Sequence, residues 1–89
     1  MNSSEILMEN LEYTLWKRDM NRKQLAELTG ISYNQILLIF KGENTSLFTV
    51  DVIAESLGYE MWQLLKKDGT RDYYWRYIKI LAINNRNTD

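Results

Sequence analysis

The sequence predicts an all-α fold built from short helices. The 89-residue chain contains no proline, and its only glycines stand at positions 30, 42, 58 and 69. These glycines separate segments in which apolar residues recur every three or four positions, the spacing of one helix face. The strict alternation typical of strands is weak throughout. Six helices are expected.

The first helix is expected to begin at a serine cap. Ser3 or Ser4 can accept a hydrogen bond from a backbone N–H in the first turn. The apolar residues that follow predict a buried face, made of Leu7, Leu11, Tyr13, Leu15 and Trp16.

The second and third helices follow in close succession. Asn21 is the predicted cap of a helix over 22–29, and Ser32 that of a helix over 33–41. The residues expected to face inward are Leu25, Ala26 and Leu28 in the second helix, and Ile36 and Ile39 in the third.

The fourth and fifth helices are bounded by serine and glycine. Ser46 begins a predicted helix over 47–57, which Gly58 stops. A short fifth helix is expected over about 61–66, broken by Gly69.

Composition excludes several classes of function. The chain contains neither cysteine nor histidine, so disulfides, thiolate metal sites and the commonest general base are not available. We therefore expect no metal, no cofactor, no small-molecule substrate and no enzymatic activity. No apolar run reaches the length of about 18 residues that a membrane span needs, and no signal peptide is evident. A cytoplasmic protein is expected.

The charge distribution is more informative than the total charge. A formal net charge of −1 counts against nucleic-acid binding, because basic surfaces usually supply much of the affinity. Cations are nevertheless in excess in two segments. Residues 20–42 hold Arg22, Lys23 and Lys41 against Glu27, and residues 70–89 hold Arg71, Arg76, Lys79 and Arg86 against Asp72 and Asp89.

The segment between the second and third helices has the pattern of a helix-turn-helix. Ala26 is small enough for close helix packing, and Gly30 can adopt positive φ at the turn. Ile31 and Ile36 supply the apolar residues that hold the second helix of such a unit against the first.

This pattern resembles the phage-repressor-like (Cro/C1, XRE-type) helix-turn-helix family. The resemblance continues beyond the turn, through residues 21–32, 41–42, 52–59 and 62–65. It implies a lambda-repressor-like five-helix domain over 1–69 that binds double-stranded DNA, usually as a dimer on a palindrome. Residues 70–89 would then add a C-terminal helix and a polar tail. The resemblance also implies a protein encoded by a bacterium or a phage. Because the motif depends on core residues, it indicates fold more directly than function.

The resemblance also implies residue roles. The amino-terminal part of the third helix would enter the major groove. Base contacts are expected from Ser32, Tyr33, Asn34, Leu37 and Leu38, of which Asn34 is favoured because an amide can pair with adenine. Backbone contacts are expected from Arg22, Lys23, Lys41, Asn44 and Thr45.

Two features depart from the family. Many members pair an arginine late in the first helix with a glutamate late in the third, whereas Leu15 and Phe40 occupy these positions here. Because both partners are apolar, we expect Phe40 in the core, in contact with Leu15. The second departure is the Leu37–Leu38 pair, which stands where polar groups are expected. Either apolar contacts and DNA shape supply the specificity, or this surface meets a protein.

The sixth helix is predicted over about 71–83, with few polar positions around it. A helix apolar on most sides needs burial on more than one side. We therefore expect a homodimer whose interface includes Tyr74, Trp75, Tyr77, Ile78 and Leu81. The alternative is that this helix wraps its own domain.

Two functions remain open. The first is a dimeric, sequence-specific transcription regulator, most simply a repressor. The second is a protein-binding module on the same fold, such as an antirepressor or an antitoxin. The low net charge and the leucine pair favour the second.

Overall fold

A computed structural model describes residues 2–71 of the chain, and every regular element in that range is a helix. The prediction of an all-α fold is confirmed there. The helices are α1 Ser3–Lys17, α2 Arg22–Thr29, α3 Tyr33–Phe40, α4 Leu47–Leu57 and α5 Met61–Leu65. The predicted sixth helix, with the five expected interface residues from Tyr74 to Leu81, lies outside the described residues. The division of the chain at residue 69 stays a prediction.

One core holds the five helices together. α1 packs on α3 and α5, α2 on α3 and α4, and α4 on α5. The side chains that fill the centre are almost fully buried, among them Leu11, Leu25, Ile36, Ile53 and Leu64. Because each helix contributes at least one of them, burial of this shared apolar surface fixes the position of α3 relative to the other helices.

The start and the face of α1 differ from expectation. The predicted Ser3 or Ser4 cap is wrong, because Asn2 accepts the bond from the Glu5 N–H at 2.9 Å and starts the helix earlier. Tyr13 is only half-buried, and Trp16 is 77% exposed. Polar side chains take the inner positions instead.

Asn10 is one of these inner residues, and it ties α1 to the end of α5. Its amide nitrogen donates to the carbonyl oxygens of Gln63, Leu64 and Lys66, at 3.2, 2.8 and 2.9 Å. Its amide oxygen accepts from the Thr70 hydroxyl at 3.2 Å. These bonds satisfy carbonyl groups at the helix end and hold the following turn against α1.

The remaining helix ends lie within one residue of the predicted ends. Capping by Ser46 and Gly58 confirms the predicted bounds of α4. α3 ends at Phe40 and α5 at Leu65, each one residue earlier than expected. Gly69 does not break α5; it is buried against the Gln63 carbonyl, where a side chain has no room. No helix within residues 2–71 has the length and apolar character needed to cross a membrane.

Candidate nucleic-acid interface

The bihelical unit α2–α3 is built from local capping and a glycine turn. Asn21 and Gln24 form a reciprocal capping box, in which each side chain accepts from the other residue's backbone N–H, at 2.7 and 2.8 Å. Gly30 ends α2 with φ +75°, and its N–H donates to the Ala26 carbonyl at 2.9 Å. Ser32 then caps α3 by accepting from the Gln35 N–H at 3.2 Å. The two short helices are therefore held at a fixed angle by the turn itself.

The inner side of this unit is apolar, as predicted, with one exception. Leu25, Ala26 and Ile36 are buried, and Ile31 packs partly buried against the core. Leu28, which was expected to face inward, is instead 49% exposed. α2 needs only Leu25 and Ala26 to cover its contact with the neighbouring helices.

The amino-terminal half of α3 is open to solvent. Ser32, Tyr33 and Asn34 are exposed, while Leu37 is half-buried and Leu38 is 47% exposed. Ser32 already uses its hydroxyl oxygen as the helix cap. Asn34 and Leu38 are four residues apart and so lie on the same side of the helix. The five residues expected at the bases thus include four exposed ones, and Leu37 contributes a smaller surface.

The residues expected at the phosphates lie on three different segments. Arg22 and Lys23 are exposed in the first turn of α2, and Lys41 is exposed at the end of α3. Asn44 is exposed and accepts from the Ser4 hydroxyl at 3.3 Å, whereas Thr45 is half-buried and donates to the Glu43 carbonyl at 3.4 Å. The connection between α3 and α4 is thereby held close to the amino terminus of α1.

A groove brings α3 and this connection together. It has a volume of about 330 Å³ and is lined by Gln35, Leu38 and Ile39 of α3 together with the side chains that follow it, namely Glu43, Asn44, Thr45, Ser46 and Thr49. Gln35 was missed by sequence reasoning, although its amide is exposed one residue beyond Asn34. Its position in the first turn after the Ser32 cap is the signal that could have found it.

Phe40 and Leu15 occupy the positions at which the resemblance led us to compare an internal ion pair. Both are buried, at 6% and 7% exposure, which confirms the expected place of Phe40 in the core. They also line one surface cavity between α1 and α3. The guanidinium of Arg22 lies 4.5 Å from the centre of the Phe40 ring. One part of the Phe40 ring thus packs against the core, and another part contacts the guanidinium of Arg22 on α2.

Comparison with known families identifies the domain. A family model described as the Cro/C1-type HTH DNA-binding domain matches residues 10–67. The chain belongs to this Cro/C1-type family. No curated protein and no solved structure matches the chain.

The family match extends further along α1 than the resemblance seen in the sequence. It begins at Asn10, the residue that fastens α5 to α1, and includes all of α2, α3, α4 and α5. The exposed half of α3 therefore belongs to a DNA-binding domain of the Cro/C1 type, a family that is typically non-enzymatic.

Proposed function

We propose that this Cro/C1-type domain is a transcription regulator that reads DNA through α3, most simply as a repressor. The observation that carries the proposal is the exposed amino-terminal half of α3, held by the capped turn of a domain from this family. In the helix-turn-helix geometry this half of the second helix enters the major groove. Asn34 supplies a bidentate amide, and Gln35 adds a second amide at the groove edge.

Cations around α3 would hold the domain to the phosphates. Arg22 and Lys23 begin α2, where the helix dipole also favours an anion. Lys41 lies at the other end of α3. Glu43 lines the groove beside them and opposes phosphate binding. The electrostatic contribution is therefore modest, and we propose that contacts from Tyr33 and Leu38 to thymine methyl groups add to the specificity.

Two variants can distinguish residues that contact bases from residues that contact phosphates. Asn34→Ala should weaken binding to a duplex that the native domain binds specifically by about 1–3 kcal/mol. Its binding to a duplex of random sequence should be nearly unchanged. Arg22→Ala should weaken binding to both duplexes and reduce the slope of log K against log salt by about one. Fluorescence anisotropy titrations at several salt concentrations measure both effects. Glu55→Ala, an exposed change on α4 outside the groove, is the control. Equal losses for the two variants on both duplexes would contradict the assigned roles.

A protein partner is the second candidate function, and exposed apolar side chains favour it. Leu38 protrudes from α3, and Leu47 and Phe48 protrude from the first turn of α4, with exposures of 64% and 78% for the latter two. Ser46, which precedes them, lines the same groove as Leu38. Exposed apolar side chains near the recognition helix suit a protein contact, as in an antirepressor or an antitoxin.

We further propose that the regulator acts as a homodimer on a palindromic operator. Two recognition helices about 34 Å apart can enter successive major grooves on one side of the duplex. The apolar residues expected at the interface, Tyr74, Trp75, Tyr77, Ile78 and Leu81, all lie in residues 72–83. Doubling the number of contacts would compensate for the small number of cations on each copy.

Sedimentation equilibrium tests this assembly. The full chain should sediment as a dimer at tens of micromolar, and a chain ending at Arg71 should sediment as a monomer. Ending at Arg71 keeps the Thr70 hydroxyl on Asn10, so the truncation leaves the α1–α5 connection intact. A monomeric full chain would rule out the homodimer, and a truncated chain that stays dimeric would place the interface within residues 1–71.

A further inference from the structure

Phe40 links the core of the domain to the surface proposed to bind DNA. Arg22 is exposed in the first turn of α2, where the proposed function places a backbone phosphate. Its guanidinium carbon lies 4.5 Å from the centre of the Phe40 ring, inside the distance of about 6 Å at which a cation is attracted to an aromatic face. A side chain of the core thus contacts a cation that is expected to bind DNA.

The two partners differ in their freedom to move. Phe40 is 6% exposed and is packed among the core residues, so its ring has a fixed place at the end of α3. Arg22 is long and exposed, and both side chains line one cavity of about 370 Å³. An unsupported arginine loses much rotamer freedom when it binds a ligand. Contact with a fixed ring restricts the side chain before binding and so reduces that cost.

The kind of partner decides whether Arg22 can still bind a phosphate. A carboxylate would occupy N–H donors of the guanidinium, whereas the face of an aromatic ring accepts none of them in an N–H···O bond. Glu12 lines the same cavity, but no carboxylate within residues 2–71 forms an ion pair with Arg22. The guanidinium therefore keeps the planar set of donors that matches the oxygens of a phosphate.

Lys23 provides a comparison within the same turn of α2. It is exposed, carries the same charge and is also expected at a phosphate. In the part of the chain that the structure describes, the cations that lie over aromatic rings are Arg18, Arg22 and Arg71, and Lys23 is not among them. Support by a ring is thus a property of Arg22 and not of every cation at the start of α2.

We propose that Phe40 is a positioning residue for DNA binding, whose ring holds the Arg22 guanidinium in place for a backbone phosphate. This role rests on the proposed function, because it takes DNA as the ligand of Arg22. Phe40 itself makes no contact with DNA and acts through Arg22 alone. Removing the ring should therefore weaken DNA binding only in a chain that has the guanidinium.

A double-mutant cycle on a duplex of random sequence tests this dependence, because phosphate contacts carry no sequence information. Phe40→Leu keeps the position apolar and removes the ring, and it should weaken binding about two- to fivefold. In an Arg22→Gln background the same change should have no effect, whereas in a Lys23→Gln background the full loss should remain. Fluorescence anisotropy at about 50 mM salt measures binding. Circular dichroism under the same conditions reports that each variant is folded.

A fluorinated ring series tests the attraction with little change in the shape of the ring. The chain has two phenylalanines, and Phe48 is 78% exposed, so a Phe48→Leu background leaves Phe40 as the single site for incorporated fluorophenylalanine. Each added fluorine makes the ring face less negative and weakens cation–π attraction. Affinity for the random duplex should fall with each fluorine and stay constant in chains that also carry Arg22→Gln. A purely structural role of Phe40 would give the same trend in both chains.

NMR without DNA separates this role from the proposed function. The ring current of Phe40 should shift the Arg22 side-chain Hδ and Hε signals upfield, and Phe40→Leu should remove the shift. A native chain that shows the shift but binds no duplex would overturn the proposed function together with this role. A native chain that binds DNA, but in which Phe40→Leu costs the same with and without the guanidinium, would overturn the positioning role alone. Arg22 signals without a ring-current shift would also overturn it.

Discussion

Asn10→Asp is expected to destabilise the domain by about 3–5 kcal/mol at pH 7. In the native chain the Asn10 side chain is 3% exposed and its amide nitrogen donates to three carbonyl oxygens. A carboxylate at this position has no proton to donate and lies in a buried site surrounded by the negative ends of carbonyl dipoles. These bonds join α1 to the end of α5, so the variant tests a contact that holds the two helices together.

The loss should depend on pH in a defined direction. Burial and the facing carbonyl groups raise the folded-state pKa of the new carboxyl group above its unfolded value of about 3.9. The variant is therefore least destabilised below that unfolded pKa, and it loses stability as pH rises towards the folded pKa. Urea unfolding followed by circular dichroism, between pH 3.5 and 7, measures the difference from the native chain at each pH.

Asn10→Leu is the matched control for this experiment. It removes the same hydrogen bonds with a neutral side chain of similar size, so its cost relative to the native chain should not vary with pH. If Asn10→Asp lost no more stability at pH 7 than at pH 3.5, the buried carbonyl cluster around Asn10 would be contradicted.

Phe40→Glu is the second variant with a large expected effect, a loss of about 3–5 kcal/mol. Most of the loss comes from removing a buried ring and desolvating a charge at a position that is 6% exposed. Arg22 lies over this ring and can serve as a counter-ion, although it is exposed, so it should recover no more than about 1 kcal/mol.

Leu15→Arg should rescue part of that loss by recreating an arginine–glutamate pair across α1 and α3. Leu15 and Phe40 line one cavity, and each single variant buries a charge without its intended partner. A double-mutant cycle from denaturant unfolding should give a favourable coupling of about 2–3 kcal/mol. The control cycle, Leu15→Arg with Phe40→Leu, should show no favourable coupling. A harmless Phe40→Glu, or additive losses in the charged pair, would contradict the shared site.

Most of the fold could be predicted because the helix ends are determined by residues close to one another in the sequence. The capping residues Asn21, Ser32 and Ser46 act within three residues of their partners, so the starts of α2, α3 and α4 can be read from sequence alone. The turn at Gly30 is equally local, because positive φ is a property of that single residue.

The sequence predictions fail at residues whose burial is determined by distant parts of the chain. Trp16 has the spacing of a core residue but no helix covers it within residues 2–71, whereas Asn10 has the chemistry of a surface residue and is buried. What buries Asn10 is a set of carbonyl groups more than fifty residues away, which no local pattern contains. Gly69 is similar, since its close approach to Gln63 depends on how the turn after α5 folds back.

The candidate interface could be predicted only in part, because some of its contacts also depend on distant parts of the chain. Exposure of Tyr33, Asn34 and Leu38 follows from helix periodicity once the start of α3 is known. The groove that adds Gln35 and Thr49 forms only when the α3–α4 connection is folded back along α3. The contact of Arg22 with Phe40 also requires the packed helices, because no sequence spacing indicates it.

The most direct test of DNA reading through α3 is a binding titration of the native 89-residue chain on DNA. The probe is the duplex upstream of its own gene, compared with a shuffled duplex of the same composition, at salt concentrations from about 50 to 200 mM. A DNA-reading regulator should bind the upstream duplex at least about 10³-fold more tightly, and its affinity should fall steeply with salt. Equal and weak binding to the two duplexes, with the chain folded throughout, would contradict DNA reading through α3 and favour a protein partner on that surface.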